Sequence, residues 1–318
     1  MAGPGYSGQV RIALATCAAL PELDPDDTPL LAALAERGAK ADAVVWDDPD
    51  VVWADYDMVV IRSTWDYAQR PAEFLAWAER VAAVTTLANP LPVVRWNTDK
   101  HYLRELDEAG IAVVPTIWLE PERHLSSRAL HTRFPANGDL VIKPAVSAGS
   151  RDTGRYTAID ANSRGLAIQH AKRLLEADRT VMVQRYLTSV DTVGEHAHVF
   201  FAGEYSHSIL KGAMLDGPEV AIDGVYKEER ISPVEATASE VEAALNVVIT
   251  ARRLLTASAN GEPVDPEKFL FARVDFVKDD DGNPVLMELE MVEPSLFFGY
   301  HEGALAKFAD VIIARASR

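Results

Sequence analysis

Residues 271–290 predict a β-hairpin that would bring together three carboxylates, those of Asp275, Glu288 and Glu290. Two alternating apolar runs flank a turn rich in Asp, Gly, Asn and Pro. Side chains two apart on a strand share one face, so Glu288 and Glu290 project together, and the turn can bring Asp275 opposite them. Buried carboxylates repel one another unless a cation compensates. We predict a Mg²⁺-nucleotide site, because Mg²⁺ takes one or two carboxylates and leaves positions for phosphate oxygens. The alternative is an ordinary amphipathic strand with a solvated acidic face.

A second group of residues suits phosphate binding. A predicted strand contains Lys143 and runs into a loop of small residues that includes Ser147, Gly149 and Ser150. Small side chains let successive backbone N–H groups approach phosphate oxygens, and the lysine would add a point charge. The lysine precedes the glycine, so this is not a Walker loop. The alternative is a surface turn beside an ordinary lysine.

Other cations and a strand edge extend this pattern. Residues 181–187 predict a strand whose edge can offer backbone N–H and C=O groups to an adenine, with a side-chain contact from Gln184. Lys100 lies near the start of a predicted helix, and Lys211 follows an apolar run. Arg273, two residues before the first hairpin carboxylate, shares its strand face. No Ser-His or Cys-His arrangement indicates a covalent nucleophile.

The elements that would position these residues begin with alternating strands and helices. The sequence predicts strands at 10–16, 41–46 and 57–63 and helices at 29–38 and 71–83, which favours a parallel sheet covered on both faces. Ligands of such sheets bind at the carboxyl ends of strands, which makes Arg62, Ser63 and Trp65 candidates for substrate binding. Arg62 suits a bidentate carboxylate or phosphate clamp, or else a structural ion pair with Asp66. Trp65 would line the pocket or plug a domain interface.

The rest of the chain changes character after a boundary at residues 89–92. We predict a helix at 98–110, strands at 139–145, 156–159 and 180–187 around a helix at 161–177, a hairpin region at 195–213, a helix at 239–255, the acidic hairpin and a closing helix at 302–316. These elements divide the chain into three predicted domains, 1–97, 98–187 and 188–318.

Composition narrows the class of partner. The chain has 318 residues, of which 48% are hydrophobic and 25% charged, as in globular proteins. A net charge of −17 argues against nucleic acid or an anionic membrane as the main partner, because both need clustered Lys and Arg. No apolar run approaches the ~20 residues of a membrane span, and the amino terminus lacks the features of a signal peptide. We therefore expect a cytoplasmic protein, and a homodimer stays open.

The order of these motifs resembles the ATP-grasp superfamily, which includes glutathione synthetase, D-alanine–D-alanine ligase and protein glutamate ligases. A lysine on a helix, a strand lysine with a small-residue loop, an adenine strand, a cationic strand and Asp…Glu-x-Glu follow one another within residues 92–298. The resemblance implies two α+β subdomains that clamp ATP, preceded by an open parallel α/β domain on the substrate side.

The resemblance also implies roles for individual residues. Lys100 and Lys143 would contact the α- and β-phosphates, with Ser147, Gly149 and Ser150 in a mobile loop over the triphosphate. Adenine would lie against Gln184, Arg185 and Leu187, with Asp191 or Glu195 as the ribose ligand. Lys211 and Arg273 would neutralise phosphate charge during catalysis, and Asp275, Glu288 and Glu290 would hold two Mg²⁺ ions. Many members end the last motif Glu-x-Asn, so Glu290 is a departure that leaves the second ion's coordination open.

Three further segments narrow the resemblance. Residues 62–67, 95–100 and 293–298 resemble the bacterial ATP-grasp group that contains the O-ureido-D-serine cyclo-ligase of D-cycloserine biosynthesis. Such enzymes convert a substrate carboxylate into an acyl phosphate, which an amine-type nitrogen attacks; in this group both belong to one small amino-acid-like molecule. Ser295 lies where the family binds the acceptor carboxylate. The alternatives are a ligase that joins two substrates, an ATP-dependent kinase and a non-catalytic nucleotide-binding module.

Overall fold

Three sheets make up the protein in a computed structural model that describes residues 9–219, 229–257 and 269–317. The prediction that the amino terminus is not a signal peptide concerns residues that lie mostly outside these ranges. No helix within the described ranges is both long enough and apolar enough to cross a membrane.

The first sheet is parallel, as predicted, with strand order β2-β1-β3-β4. Its central strands are almost wholly buried, which explains their continuous apolar runs. Two helices of this region begin with a proline in the first turn, where the missing N–H costs nothing. The elements are β1 (Arg11–Thr16), α1 (Pro29–Ala35), β2 (Lys40–Val45), β3 (Met58–Ser63), α2 (Pro71–Ala82) and β4 (Thr86–Ala88).

The predicted helix at 98–110 is wrong at its start. Two shorter helices, α3 (Leu91–Asn97) and α4 (Tyr102–Glu108), are separated by a turn that contains Lys100. The first of them starts with a proline in its first turn, so the prolines that suggested a boundary in fact open a helix. The turn is held from outside, because the backbone N–H of Lys100 donates to the Ala145 carbonyl at 3.1 Å.

The second sheet is antiparallel, in the order β5-β8-β6-β7, and confirms the three strands predicted in this region. Its main helix begins at an Asp160 cap, whose carboxylate accepts from the Ser163 N–H at 2.6 Å. The elements are β5 (Thr116–Leu119), α5 (Ser127–Arg133), β6 (Asp139–Pro144), β7 (Gly154–Thr157), α6 (Ala161–Glu176) and β8 (Val181–Arg185).

The third sheet is also antiparallel, in the order β11-β10-β9-β12-β13, and it carries the predicted acidic hairpin. In that hairpin Arg273 pairs with Glu290 and Asp275 with Glu288, so the carboxylates do face one another across the strands. The elements are α7 (Ser189–Thr192), β9 (Glu195–Phe201), β10 (Glu204–Lys211), β11 (Ile231–Val234), α8 (Ala238–Ala257), β12 (Phe271–Lys278), β13 (Pro284–Glu290) and α9 (Ala304–Ala316).

The last helix packs against the first helix of the chain and against the third sheet. Helix α9 packs beside α1 of the first sheet, and its Phe308 is fully buried against Phe201 and Phe271 of the third sheet. One hydrophobic core therefore runs from the first sheet into the third. The three domain boundaries stay a prediction.

Candidate active site

A cavity of ≈ 420 Å³ lies where residues from all three sheets, or from the loops beside them, come together. This volume suits a small ligand or cofactor. Most of the residues singled out from the sequence line it: Trp65, Lys100, Lys143, Ser147, Gly149, Ser150, Gln184, Arg185, Leu187, Glu195, Lys211, Arg273, Glu288, Glu290 and Ser295.

Two substrate candidates of the first sheet do not line the cavity. Arg62 is fully buried; it donates to the Asp27 carboxylate at 2.9 Å and to the Pro294 carbonyl at 2.7 Å. The hydroxyl of Ser63 donates to the same carboxylate at 2.9 Å. The ion pair of Arg62 is therefore with Asp27 and not with Asp66. The hydrogen bond from Arg62 to the Pro294 carbonyl connects the first sheet to the segment after β13.

Cations and carboxylates alternate around the hairpin. Lys143 is 2.9 Å from Glu288, while Lys211 and Arg273 are each 2.8 Å from Asp275. The remaining pairs are Lys100 with Glu288 at 4.0 Å, Arg273 with Glu290 at 2.5 Å, and Lys211 with Glu195. Four cations thus face four carboxylates, and each buried charge has an opposite charge beside it.

These pairs set the protonation of the carboxylates. Burial would raise the pKa of Glu288, but Lys100 and Lys143 lower it to about 2. Burial likewise opposes ionisation of Asp275, and Arg273 and Lys211 hold its pKa well below the usual range. Glu195 differs, because burial outweighs Lys211 and raises its pKa to about 7. The hairpin therefore presents Glu288 and Asp275 as anions at neutral pH.

The hairpin offers Mg²⁺ a partial ligand set. Across the described ranges no three His, Cys, Asp or Glu side chains are grouped as ready-made metal ligands. The Asp275 side chain is 1% exposed and enclosed by its two cations, whereas the side chains of Glu288 and Glu290 are 22% and 28% exposed. Two carboxylates that open to a cavity fit Mg²⁺, which usually takes one or two together with phosphate oxygens and water.

The lysine of the α3–α4 turn and the small-residue loop are in direct contact. The ammonium group of Lys100 donates to the carbonyl and the hydroxyl oxygen of Ser147, at 3.0 and 3.1 Å. Gly149 and Ser150 have φ values of 60° and 59°, in the left-handed region that a glycine adopts at little cost. Such a loop can turn backbone N–H groups toward one anion.

The predicted adenine strand β8 lies between β5 and β6, so the expectation that it offers a free strand edge to adenine is wrong, because both of its edges are paired within the sheet. Gln184 is buried, and its side-chain amide donates to the Thr116 hydroxyl at 2.9 Å, so it serves the sheet in this structure. The Arg185 guanidinium is half exposed and pairs with Asp280 at 2.8 Å, and Leu187 is buried.

The two ribose candidates are placed differently. Asp191 lies outside the cavity lining and pairs with Arg155 at 3.1 Å, while it accepts from the Tyr186 hydroxyl at 2.6 Å. Glu195 lines the cavity beside Lys211. The cavity therefore brings Glu195, and not Asp191, together with the other nucleotide candidates.

Several cavity residues escaped the sequence analysis, among them Asp26, Tyr67, Asn97, Tyr102 and Glu293. Tyr67 and Glu293 stand inside segments that carry the family resemblance, and this was the only signal for them. Asn97 and Tyr102 complete the edge strand β13. Asn97 donates to the Leu289 carbonyl at 2.8 Å and accepts from the Met291 N–H at 2.6 Å, and the Tyr102 hydroxyl accepts from the Leu289 N–H at 3.0 Å.

Comparison with known proteins supports the same fold. Residues 12–89 match the family described as the N-terminal domain of the D-cycloserine synthetase DcsG. The chain is 36% identical over 308 residues to the cycloserine biosynthesis protein DcsG of Streptomyces lavendulae, which covers 96% of this chain and 98% of that protein. The crystal structure of D-cycloserine synthetase DcsG matches with a TM-score of 0.81 at 35% identity, over 96% of this chain and 99% of that chain. A D-alanine–D-alanine ligase of Bacillus anthracis complexed with ATP shares the fold, with a TM-score of 0.65 at 14% identity over 98% and 97%.

Proposed function

This chain belongs to the D-cycloserine synthetase family of ATP-grasp ligases, and from that premise we propose that it closes a ring within a small amino-acid-like molecule. ATP would activate the substrate carboxylate as an acyl phosphate, and a nitrogen of the same molecule would then displace phosphate. The single observation that carries the proposal is the set of four cations that surrounds the hairpin carboxylates in one cavity. Intramolecular attack gains from high effective molarity, so the site has only to fold the substrate and exclude water.

We assign the first half-reaction to the cationic side of this cavity. A substrate carboxylate oxygen attacks the γ-phosphorus, the bond to the β,γ-bridging oxygen breaks, and ADP leaves. Lys211 and Arg273 stabilise the charge on the transferring group, while Lys100, Lys143 and the loop with Ser147 hold the other phosphates. What supports this is that all four cations line the cavity and already sit beside an anion.

Magnesium fits this scheme through Glu288 and Glu290, whose carboxylates open to the cavity. Bound there with nucleotide phosphates, Mg²⁺ would neutralise charge on the triphosphate. Asp275 keeps Lys211 and Arg273 in place as long as it remains enclosed by them. A second ion would need Asp275 as well, and its cations would first have to turn toward the phosphates.

The remaining assignments follow the cavity walls. Adenine would lie at the end of β8, near Arg185 and Leu187, with Glu195 as the ribose ligand. Trp65 and Ser295 lie on the wall built by the first sheet and the segment after β13, which we assign to the amino-acid-like substrate. Residues 1–97 would then form the substrate-side domain, and 98–187 and 188–318 the two subdomains that clamp the nucleotide.

The test is release of ADP and phosphate from Mg²⁺-ATP with a panel of D- and L-amino acids that includes O-ureido-D-serine. Hydroxylamine serves as an added nucleophile, because a hydroxamate reports the acyl phosphate and names the carboxylate. We expect phosphate release and a ring-closed product, detected by mass spectrometry, from one member of the panel. A stable phosphorylated product with no need for an amine would identify a kinase instead. Binding of ATP without turnover on any carboxylate would favour a non-catalytic nucleotide-binding module.

A further inference from the structure

The cavity wall that follows β13 contains an acidic residue held on several sides. Glu293 lines the cavity and is only 8% exposed. Its backbone carbonyl accepts from the Trp65 indole N–H at 2.9 Å, and the next carbonyl, that of Pro294, accepts from the buried Arg62 at 2.7 Å. These two contacts tie the backbone at Glu293 and Pro294 to β3 and to the segment that follows it.

A tyrosine from the short helical segment after β3 lies beside this carboxylate. Tyr67 is buried and lines the same cavity, and its hydroxyl is near enough to the Glu293 carboxyl to lower the pKa of that group. Its ring stacks on Phe74 with centroids 4.6 Å apart, which limits rotation of the phenol. A buried carboxylate beside a fixed hydroxyl donor is preorganised without a close cationic partner of its own.

The proposed ligation needs a group of this kind. When a nitrogen attacks an acyl phosphate, the C–N bond forms, the C–O bond to phosphate breaks, and the nitrogen must lose a proton to stay neutral. The four hairpin cations are donors, and their carboxylate partners are engaged in ion pairs. The hairpin groups that serve the first half-reaction therefore do not supply an acceptor for this proton.

We infer that Glu293 accepts the proton that the attacking nitrogen loses, and that Tyr67 is a positioning residue that holds the carboxylate for this step. The inference rests on the proposed function and deepens it. In the balanced step the nitrogen lone pair forms the C–N bond, inorganic phosphate leaves with the C–O electrons, and the N–H proton passes to Glu293. The protonated Glu293 then returns its proton to solvent when the product leaves.

The surroundings of Glu293 place its ionisation near neutral pH. Burial, followed by the charge of Glu290 on β13, raises the pKa of Glu293 to about 8, against the effects of Tyr67, of Lys100 in the α3–α4 turn and of Arg273 on β12. A base is competent only when ionised, so ring closure should accelerate as pH rises through the pKa of Glu293 and then level off. Activation of the substrate carboxylate needs no such base, so its rate should not show this rise with pH.

The test separates the two half-reactions in the Glu293→Gln variant of the full chain. Glutamine keeps the shape and can still accept from Tyr67, but it takes no proton. We expect ring-closed product to fall by about a hundredfold or more, the usual contribution of a positioned base. Hydroxamate formation with added hydroxylamine should be retained, because that neutral nucleophile needs no enzymic base. Glu302→Gln, at an exposed site nearby, is the matched control and should change neither rate.

A second variant tests the positioning role. Tyr67→Phe keeps the ring but removes the donor that favours the charged carboxylate, so the rising limb of ring closure should move to higher pH. Equal losses of hydroxamate and product in Glu293→Gln, or no loss of product, would overturn the inference, as would a uniform fall at every pH in Tyr67→Phe. If the unaltered protein forms neither hydroxamate nor product, the proposed function itself fails, which is a distinguishable result.

Discussion

Each cation of the candidate site is held by a carboxylate before any phosphate arrives. Lys143 and Glu288 are 2.9 Å apart, and both are largely withdrawn from solvent. A buried ion is costly without a partner, so these pairs hold the cations in place. A nucleotide must therefore compete with the carboxylates for the same cations, and Mg²⁺ could then take the carboxylates that are released. Substitution of the lysine and substitution of the glutamate in one pair should accordingly impair different steps, nucleotide binding and turnover respectively.

Replacement of Lys143 by alanine should weaken binding of Mg²⁺-ATP. The change removes a charge-assisted contact to phosphate, which is worth about 1.5–3 kcal/mol, so the Kd should rise about ten- to a hundredfold. Titration calorimetry measures this directly. Lys172→Ala removes a half-exposed lysine of α6 that pairs with Glu176 at 3.6 Å, and it should leave the Kd unchanged. An unaltered affinity in Lys143→Ala would show that the nucleotide phosphates lie elsewhere.

Replacement of Glu288 by glutamine should impair turnover more than binding. The charge that would hold Mg²⁺ is lost, while Lys100 and Lys143 are freed to contact phosphate. We expect kcat to fall about a hundredfold, or about 2.7 kcal/mol of transition-state stabilisation, with a higher Mg²⁺ requirement. Steady-state rates at several Mg²⁺ concentrations measure both, with the exposed Glu176→Gln as control. An unchanged Mg²⁺ requirement would count against Glu288 as a metal ligand.

At the scale of elements, the acidic hairpin depends on side chains that replace a missing neighbour strand. Strand β13 is at the edge of its sheet, and an edge leaves backbone groups unpaired. Asn97 fills one such gap at Leu289 and Met291. Asn89, fully buried, donates to the Phe271 and Met291 carbonyls at 2.9 and 2.7 Å. The carboxylates of the hairpin are thus aligned by amides from the region before α4.

Asn97→Ala should therefore destabilise the protein. Each of the two buried backbone groups left without a partner costs about 1–3 kcal/mol, so the free energy of unfolding should fall by about 2–6 kcal/mol. Urea denaturation followed by circular dichroism measures the loss. Asn162→Ala, at an exposed position of α6, should stay within about 0.5 kcal/mol of the unaltered protein. Equal stability of the two variants would mean that water replaces the amide at the edge strand.

The elements also show what the sequence can and cannot predict. Local patterns gave the acidic hairpin and the position of Lys143 at the end of a strand, because alternation and turn residues are contiguous in the chain. The ion-pair partner of Arg62 was not predicted, because Asp27 lies 35 residues away in the sequence and only the tertiary fold brings the two together. Helix α3 was not predicted, because prolines are equally typical of a domain boundary and of the first turn of a helix. Roles inside the cavity rest on the family resemblance and stay predictions.

At the scale of the whole molecule, the substrate wall depends on a helix far along the chain. Phe308 of α9 is fully buried, with ring centroids 4.8 Å from Phe201 and 5.6 Å from Phe298. The Arg62 guanidinium lies 5.8 Å from the Phe308 ring and bonds the Pro294 carbonyl of that wall. The packing of α9 against the first sheet therefore bears on the wall, although no residue of α9 lines the cavity.

Phe308→Ala tests this long-range dependence. The cavity left in the core should lower the free energy of unfolding by about 3–5 kcal/mol. Because the loosened contact is with Arg62 and its wall, the KM for the carboxylate substrate should rise more than the KM for ATP. Phe308→Leu keeps most of the apolar volume and should cost less than about 1.5 kcal/mol with a smaller change in KM. Equal rises in the two KM values would indicate a disturbance that is not confined to this wall, and unchanged KM values despite the lost stability would show that α9 does not position it.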